Sequence, residues 1–363
     1  MIKVTPDIQF KKELRRISKA PLNECIQCGT CSVVCSLAPD ERPFPRKEMI
    51  WAGWGLKEKL IGNADVWLCH QCGDCSLYCP RGVRPADVLS AVRQLTYRQY
   101  ARPKFLGHMV SDPKWLPLAL LIPVVVISGI LMLAGTFSIP EGPVNYSRFF
   151  PHGWLNASFT LITFVFYGMA LSGLIRFWKD MKGQFHGMKP EKSFFRNFRE
   201  SLAIILSHSR FGSCGSQKSR RIAHFLVFYG FALLLFVTLY AIVATVIHKY
   251  PLDLLNPFKI AGNIAGLMLM TGLGLMIFNR LFDKKKYGST YSDWLLLIAL
   301  FLLTVSGAIV EVARFQNWGS AYHLYFFHLV CVWFVIMYLP FTKFGHIVYR
   351  TLAMMFAGSI NRN

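Results

Sequence analysis

The chain begins with a polar, charged part and continues with a long apolar part. From residue 116 onward, six runs of mostly apolar residues alternate with polar loops. Each run is long enough to cross the ~30 Å apolar core of a bilayer as a helix that rises about 1.5 Å per residue. The pattern therefore predicts six transmembrane helices. They cover residues 116–137, 154–175, 222–247, 260–278, 293–313 and 323–342.

The loops between these runs indicate an orientation. Lysine and arginine are concentrated in residues 176–221, in residues 279–292 and in the C-terminal tail, whereas the three opposite loops hold few. Basic loops face the cytoplasm. We therefore expect a multi-pass protein of the cytoplasmic (inner) membrane with both termini inside. The same loops account for the net charge of +21, so we expect no nucleic-acid partner.

The first 103 residues are predicted to form a separate cytoplasmic domain, since the N-terminus has no apolar signal-peptide core. Residues 1–20 are predicted as a short basic helix and residues 86–100 as a second helix. Residues 39–67 begin with prolines and continue as an amphipathic helical stretch that covers the domain. Residues 104–115 combine basic and aromatic side chains, which is typical of an anchor at the membrane interface.

Eight of the ten cysteines form two runs with the spacing C-x2-C-x2-C-x3-C. The first run is Cys25, Cys28, Cys31 and Cys35, and the second is Cys69, Cys72, Cys75 and Cys79, followed by Pro80. This spacing is typical of proteins that bind two [4Fe–4S] clusters. Three closely spaced thiolates bind one cluster, and the fourth cysteine lies too far along the chain and reaches across to the other cluster.

This logic gives one ligand set to each cluster. The first set is Cys25, Cys28, Cys31 and Cys79, and the second is Cys69, Cys72, Cys75 and Cys35. The alternatives are a pair of zinc sites or four disulfides. Zinc sites typically use two separated C-x2-C pairs, and disulfides are rare in a reducing compartment. The spacing therefore favours the clusters.

Histidines in the apolar part are candidate haem ligands, because polar residues within a bilayer are costly and usually functional. His224 opens the third predicted span and His346 lies just beyond the sixth, so the orientation places both at the cytoplasmic level. We predict that these two imidazoles bind one b-type haem. His328 precedes His346 by 18 residues, which on one helix gives the same face and a separation of about 27 Å. His328 is a candidate ligand of a second haem, which would need a second histidine ligand. Position 234, ten residues after His224, is a plausible place for that histidine but holds Leu.

A quinone site is placed at the outer ends of spans three and four, around His248 and Lys259. A lysine there can donate a hydrogen bond to a quinone carbonyl. The alternative is an interface lysine whose charged end reaches the polar headgroups. For His248, a ligand, a quinone contact and an interface residue all stay open. Five further histidines are expected to be interfacial or hydrogen-bonded residues without a cofactor role. These are His108, His152, His186, His208 and His323.

Residues 328–347, HLVCVWFVIMYLPFTKFGHI, closely resemble the last helix of the gamma subunit of respiratory nitrate reductase, a two-haem cytochrome b. Both haem-ligand histidines of that helix match, as His328 and His346. The histidine near the start of that family's second helix matches His224, whereas its companion ten residues later has no histidine counterpart. The resemblance covers about residues 150–350 and implies a membrane cytochrome b.

Residues 1–100 resemble the C subunit of heterodisulfide reductase, which carries two [4Fe–4S] clusters. A fusion in this order is similar to the membrane C subunit of quinone-interacting membrane-bound oxidoreductase complexes of sulfate reducers, and the segment RFGSCGSQKSRRIAHF fits that family. There it joins soluble flavin and iron–sulfur subunits that resemble the A subunit of heterodisulfide reductase, and it links menaquinone to adenylylsulfate reductase. The Cys-Cys-Gly signature of heterodisulfide cleavage is absent, so the resemblance implies electron transfer without disulfide chemistry.

The sequence thus predicts a mainly α protein with a helical two-[4Fe–4S] ferredoxin-type domain and a six-helix transmembrane cytochrome b bundle. The domain covers residues 1–103, an interfacial linker 104–115, the membrane part 116–350 and a cytoplasmic tail 351–363. The expected function is that of an electron-transfer subunit in a quinone-dependent oxidoreductase complex, which the resemblance connects with sulfate respiration. The alternatives are a membrane electron-transfer protein that serves heterodisulfide reductase or sulfite reductase, and a membrane anchor whose metal sites are structural.

Overall fold

The fold is taken from a computed structural model, which describes residues 5–39, 43–185, 193–209, 218–247, 252–282 and 290–362. Within these ranges the chain forms α-helices and short 3₁₀ turns, and no β-strand. The sequence-based prediction of a mainly α protein is therefore confirmed.

Six helices in the described ranges are long and apolar enough to cross a membrane, and they lie where the hydrophobic pattern predicts them. Most of their apolar side chains point outward, as is expected of helices whose solvent is lipid. The prediction of a multi-pass membrane protein is confirmed. The helices are α9 (Leu116–Leu133), α11 (His152–Gln184), α13 (Lys218–Val246), α14 (Pro257–Phe282), α15 (Tyr291–Phe315) and α16 (Ala321–Tyr338). A short helix, α10 (Tyr146–Phe149), lies between the first two.

The last membrane helix is shorter than predicted. α16 ends at Tyr338, Pro340 follows in a 3₁₀ turn, and Thr342 has an extended backbone with φ −106° and ψ −177°. Proline lacks a backbone donor and cannot continue a helix without losing a hydrogen bond. A new helix, α17 (His346–Ser359), begins at His346. His328 and His346 therefore lie on different helices, and the prediction that they share one helix face five turns apart is wrong.

The N-terminal domain consists of short helices packed around α7 (Pro85–Tyr100), which is buried along most of its length. The stretch predicted as one amphipathic segment forms three helices, because Gly55 and Gly62 end the first two. Gly55 has φ +69°, and a side chain there would meet the backbone of Asp7. The helices are α1 (Ile8–Ser18), α2 (Thr30–Val33), α3 (Arg46–Trp54), α4 (Lys57–Ile61), α5 (Ala64–Leu68), α6 (Asp74–Leu77), α7 (Pro85–Tyr100) and α8 (Lys104–Ser111).

One hydrophobic core joins this domain to the membrane helices. Trp67 of α5 stacks on Tyr349 of α17 with ring centroids 5.0 Å apart, and Phe177 of α11 lies 5.0 Å from the same tyrosine. Tyr97 and Tyr100 of α7 complete the cluster at 5.4 Å and 6.4 Å from Tyr349. Such aromatic pairs stabilise a contact by about 0.5–1.5 kcal/mol beyond the burial of their area. The domain is therefore packed onto the membrane part and not merely tethered to it.

The backbones of the two parts come close together at Gly173 of α11. Its backbone lies against the carbonyl of Tyr100, and a Cβ at this position would overlap the carbonyl oxygen. Arg176 donates to the same oxygen at 3.1 Å, and the Tyr100 hydroxyl donates to Asp180 at 2.6 Å. The long second membrane helix thus extends past the apolar zone and binds the end of α7.

An amphipathic helix, α12 (Phe194–Ser207), packs on α17 beside the domain. Ile204 and Ile205 contact the buried side chains of Leu68 and Met354. Other positions of the helix expose large apolar residues, which suits a helix lying in the membrane interface. These are Phe194, Phe195, Phe198, Leu202 and Leu206.

We expect Gly173→Leu to separate the domain from α11, because the added side chain has no space against Tyr100. Overpacking of this kind costs about 1–3 kcal/mol. Thermal unfolding in detergent should show a lowered first transition. Gly168→Leu on the same helix is the matched control, since a Cβ there meets nothing within 4 Å. Equal shifts in the two variants would contradict this packing.

Candidate redox sites

The two cysteine runs form loops of the same shape. Both have the sequence C-x-Q-C-G-x-C, and in both the glutamine and the glycine have a left-handed backbone. The φ values are 59° and 87° at Gln27 and Gly29, and 52° and 91° at Gln71 and Gly73. Each loop then enters a short helix, α2 or α6. The left-handed turns curl the backbone so that the three cysteines of a loop converge on one hollow.

The eight cysteines come together in two groups, and each group draws on both runs. The first group lines a small hollow and consists of Cys25, Cys28, Cys31 and Cys79. The second lines a cavity of about 230 Å³ and consists of Cys35, Cys69, Cys72 and Cys75. These are the two ligand sets that the spacing predicts. Their assignment as cluster ligands stays a prediction.

The chemistry of each group fits a [4Fe–4S] cluster, which is held by four cysteine thiolates. Burial and the neighbouring cysteines raise the pKa of Cys31 and of Cys35 to about 11 each. Crowded thiols of this kind become thiolates when a metal supplies the compensating charge. Backbone N–H groups already point at sulfur, from Gln71 to Cys69 at 3.3 Å and from Val83 to Cys79 at 3.4 Å.

A cavity of about 450 Å³ lies between the second cysteine loop and the adjacent ends of the membrane helices. The loop contributes Cys69 and His70 to its wall. The helices contribute apolar side chains together with histidines and basic groups. These histidines and basic groups include His208, His224, His346, Arg220, Lys343 and Arg350.

His224 and His346 face each other across this cavity with ring centroids 6.3 Å apart and ring planes at 75°. Metal–nitrogen bonds are about 2.0–2.1 Å long, so two imidazoles on opposite sides of one metal have centroids roughly 6 Å apart. The spacing of the two rings therefore fits a single metal held between them. His328 does not contribute to this wall.

Hydrogen bonds fix the ring nitrogens that face inward. His346 Nδ1 donates to the carbonyl of Lys343 at 2.8 Å. His208 Nδ1 donates to the carbonyl of Leu206 at 3.1 Å, so its Nε2 accepts from His224 Nδ1 at 3.0 Å. In both His224 and His346 the lone pair is then on Nε2. Metal-binding histidines usually donate their other N–H in this way, so this pair of imidazoles has the chemistry that would hold a haem b.

His208 is the member of this group that sequence reasoning misses. It is predicted to have no cofactor role, whereas it lies 4% exposed against His224. It ends α12 with a left-handed φ of 51°, and α12 and α13 are separate helices. No periodicity connects the two histidines, because they belong to separate helices and their contact depends on how α12 packs on α17.

Each helix that bears a facing histidine also bears an arginine four residues away, on the same face and about 6 Å along the axis. Arg220 precedes His224 on α13 and donates to the carbonyl of Gln71 at 2.6 Å. Arg350 follows His346 on α17 and donates to His70 Nδ1 at 2.8 Å. Both arginines thus bind the second cysteine loop, which lies one helical turn from the facing histidines.

A buried carboxylate supports the turn before His346. Asp293, 2% exposed at the start of α15, forms ion pairs with Lys343 and with Arg280, the latter at 3.5 Å. It also closes the capping box of its own helix with Thr290. Lys343 is therefore held in place, and its carbonyl is the group that orients the His346 ring.

The other predicted site residues lie apart from this cavity. His328 Nδ1 is 2.9 Å from Ser306 Oγ and its ring lies against Gly307; these described contacts include no second histidine. Lys259 forms an ion pair with Glu311 at 3.0 Å, and Asn263 donates to the same carboxylate at 3.3 Å. His248 lies outside the described residues. The roles of these residues in a second haem or a quinone site stay predictions.

Comparison with protein families gives two matches. The family model described as citrate utilization protein B matches residues 111–362. The family model described as a 4Fe-4S dicluster domain matches residues 21–83. The first match covers the membrane helices and α17, and the second covers both cysteine loops.

Among curated relatives, citrate utilization protein B of Escherichia coli is 23% identical over 349 residues, which are 91% of this chain and 88% of the relative. A protein of Archaeoglobus profundus that is named as similar to the C subunit of heterodisulfide reductase is 34% identical over 89 residues, 24% of this chain and 47% of the relative. The C subunit of the H(2):CoB-CoM heterodisulfide,ferredoxin reductase of Methanothermobacter marburgensis is 33% identical over 90 residues, with the same coverage. The aligned segment thus spans about half of the length of the latter two relatives.

We predict that the crossed ligand sets can be resolved by paired variants. Cys28→Ala should remove the first cluster. Adding Cys79→Ala should remove no further cluster, so about four non-haem irons per chain remain, whereas adding Cys35→Ala should remove the second cluster as well. Non-haem iron content and EPR of the reduced protein distinguish the two double variants. If Cys28→Ala/Cys79→Ala lost all non-haem iron while Cys28→Ala/Cys35→Ala kept half of it, the crossed assignment would be wrong.

Proposed function

Since the chain belongs to the citrate utilization protein B family and contains a 4Fe-4S dicluster domain, we propose that it is a membrane electron-transfer subunit. It connects menaquinone in the bilayer with a soluble redox partner through a haem b and two [4Fe–4S] clusters. The cluster domain and both termini lie in the cytoplasm in this proposal, as the basic loops indicate.

The observation that carries the proposal is the pairing of histidine and arginine on α13 and α17. His224 and His346 are 6.3 Å apart, and Arg220 and Arg350 bind the second cysteine loop. A haem site and a cluster site would thus be neighbours, linked by two arginine hydrogen bonds from two helices. Structural metal sites need no such alignment, so the arrangement favours electron transfer over a plain membrane anchor.

The chain's own residues bind and orient the cofactors. His224 and His346 present Nε2 to the cavity, with His208 and the Lys343 carbonyl holding the rings. The arginines donate charge-assisted hydrogen bonds to the cysteine loop and fix its position. When bound, a haem b and [4Fe–4S] clusters supply one-electron transfer, and their potentials depend on ligands, burial and hydrogen bonds to sulfur.

A second haem and the quinone contact are finer parts of the proposal. His328 is half-buried and lies at the far side of the membrane from His346 in the sequence-based topology, where it remains the candidate ligand. In the same topology Lys259 lies near the side of the membrane that holds His328. In this proposal its ion pair with Glu311 supplies an exchangeable proton beside a quinone. His248 belongs to the same proposal. The direction of electron flow is left open because it depends on the potentials.

Two classes of soluble partner are considered. The resemblance to membrane proteins of sulfate reducers favours flavin and iron–sulfur subunits and, through them, adenylylsulfate reductase. The relative that aligns over 91% of the chain is named for citrate utilization, which favours a partner from the metabolism of an organic acid. The longer alignment makes the second version the stronger one. The two heterodisulfide reductase relatives named above align over only 24% of the chain.

The proposal is tested with the purified full-length protein. Reduced-minus-oxidised spectra should show a haem b α-band, and reduction by menadiol should precede the EPR signals of reduced clusters. His346→Ala and His224→Ala should each abolish this haem and leave the iron–sulfur signals, since the cysteines are untouched. His323→Ala, an exposed position, is the control. A wild-type protein without haem b and without cluster EPR would sink the electron-transfer function.

We expect His208 to act as a positioning residue for His224. His208→Ala removes the acceptor of the His224 Nδ1–H bond, so the haem should remain bound with a changed midpoint potential and altered low-spin EPR g-values. His208→Gln keeps an acceptor and should restore both. Metal affinity or activity typically changes about 10–100-fold when such a partner is lost. Identical spectra in His208→Ala and wild type would contradict this role.

A further inference from the structure

We propose that the surface around the first cysteine group is the docking site of the soluble partner, an acidic flavoprotein. This surface, the rim face, has an apolar part and a basic edge. The apolar part is Ile26, Val33, Leu77 and Tyr78, and the edge is Arg46 and Arg81. This inference rests on the proposed function, because it names where the electron-transfer partner binds.

The two cysteine groups differ in their surroundings. Cys28 of the first group is exposed, whereas Cys69 and Cys75 of the second are buried. The second loop is bound by Arg220 and Arg350 from the membrane part. The hollow of the first group is lined by residues of the N-terminal domain alone. The second group therefore faces the haem cavity, and the first faces solvent.

The rim face is apolar although it lies outside the membrane-spanning helices. Val33 is 86% exposed, Ile26 64%, Leu77 60% and Tyr78 59%. Ile26 and Tyr78 adjoin Cys25 and Cys79 in sequence, and both cysteines line the same hollow. Val33 and Leu77 lie on α2 and α6, which pack against each other. Exposed apolar side chains grouped around one site in this way mark an interaction surface.

Charge indicates the kind of partner. Residues 1–103 contain sixteen Lys and Arg against ten Asp and Glu. Arg46 and Arg81 line the hollow itself, and Arg81 shares a half-exposed ion pair with Glu24 at 2.7 Å. A net basic surface steers an acidic partner to it. A second copy of the chain is disfavoured, because a self-complementary interface would bring the same basic groups together.

The redox event at this face is a simple exchange. One electron leaves one protein and enters the other, and no atom is transferred between them. Interfaces for such encounters are small and transient, which suits a rim of four apolar side chains. The chemistry requires the partner to carry a one-electron acceptor close to its own surface, as flavoproteins do.

The test uses flavodoxin, a small acidic flavoprotein, as the probe. The full-length protein is reduced with dithionite in detergent, and its oxidation by oxidised flavodoxin is followed by stopped flow at two salt concentrations. Val33→Glu/Leu77→Glu should slow the second-order rate at least tenfold, about what loss of steering and contact produces. The wild-type rate should fall with salt, because screening weakens the attraction.

The matched control is Ile8→Glu/Trp54→Glu. These residues are 68% and 65% exposed in the same domain, and neither of them lines a cysteine hollow. The charge change is identical in the two pairs, so the control accounts for the effect of net charge. Because Ile8 and Trp54 lie outside the rim face, the control rate should stay within about twofold of wild type. Equal slowing by both pairs, a salt-independent rate, or no wild-type reaction with flavodoxin would overturn the docking site.

Two further readouts separate this inference from the proposed function. Cluster EPR and oxidation by menadione should be the same in both variants and in wild type, since the membrane side is unchanged. Failure of menadione oxidation in wild type would count against the proposed function, whereas failure with flavodoxin alone would count against the rim face. Dimerisation in detergent that Val33→Glu/Leu77→Glu removes would assign the face to a second copy and overturn the proposal.

Discussion

The contact between two arginines and the second cysteine loop governs the arrangement of the redox sites. Arg220 and Arg350 bind main-chain and imidazole acceptors of this loop, and each lies one turn from a histidine that faces the central cavity. Because a helix carries residues four positions apart on the same face, fixing the arginine also fixes the depth of the histidine. The cluster domain, α13 and α17 are thus held in one register by a few polar contacts over a large aromatic core.

The break in the helix after α16 brings His346 to the cavity. A continuous helix would carry the chain past the cavity, whereas the turns after Tyr338 start a new helix at His346. The Lys343 side chain is neutralised by buried Asp293, and its carbonyl orients the His346 ring. Buried charges need such pairing because an uncompensated one is costly. The ion pair therefore stabilises the turn that positions a candidate haem ligand.

Much of the fold can be predicted because its signals are local. The six spans depend on the length and apolarity of continuous segments, and the two cysteine loops depend on short spacings that repeat with the same glutamine and glycine. The candidate site is predictable in part. His224 and His346 are identified by their level in the membrane, but His208 is not, because its contact with His224 depends on how α12 packs. The same limit applies to His328, whose expected separation from His346 holds only for a helix that continues through Pro340.

Hydrophobicity, spacing and charge were enough to locate the six candidate membrane helices of the described residues, the two cysteine motifs and the basic asymmetry of the loops, because these are properties of continuous segments. Tertiary packing had to establish which helix ends meet, that the second cysteine group lies beside the histidine cavity, and that the first is left facing solvent. Such relations depend on contacts between residues more than a hundred positions apart, as between Arg350 and His70, and no local pattern encodes them.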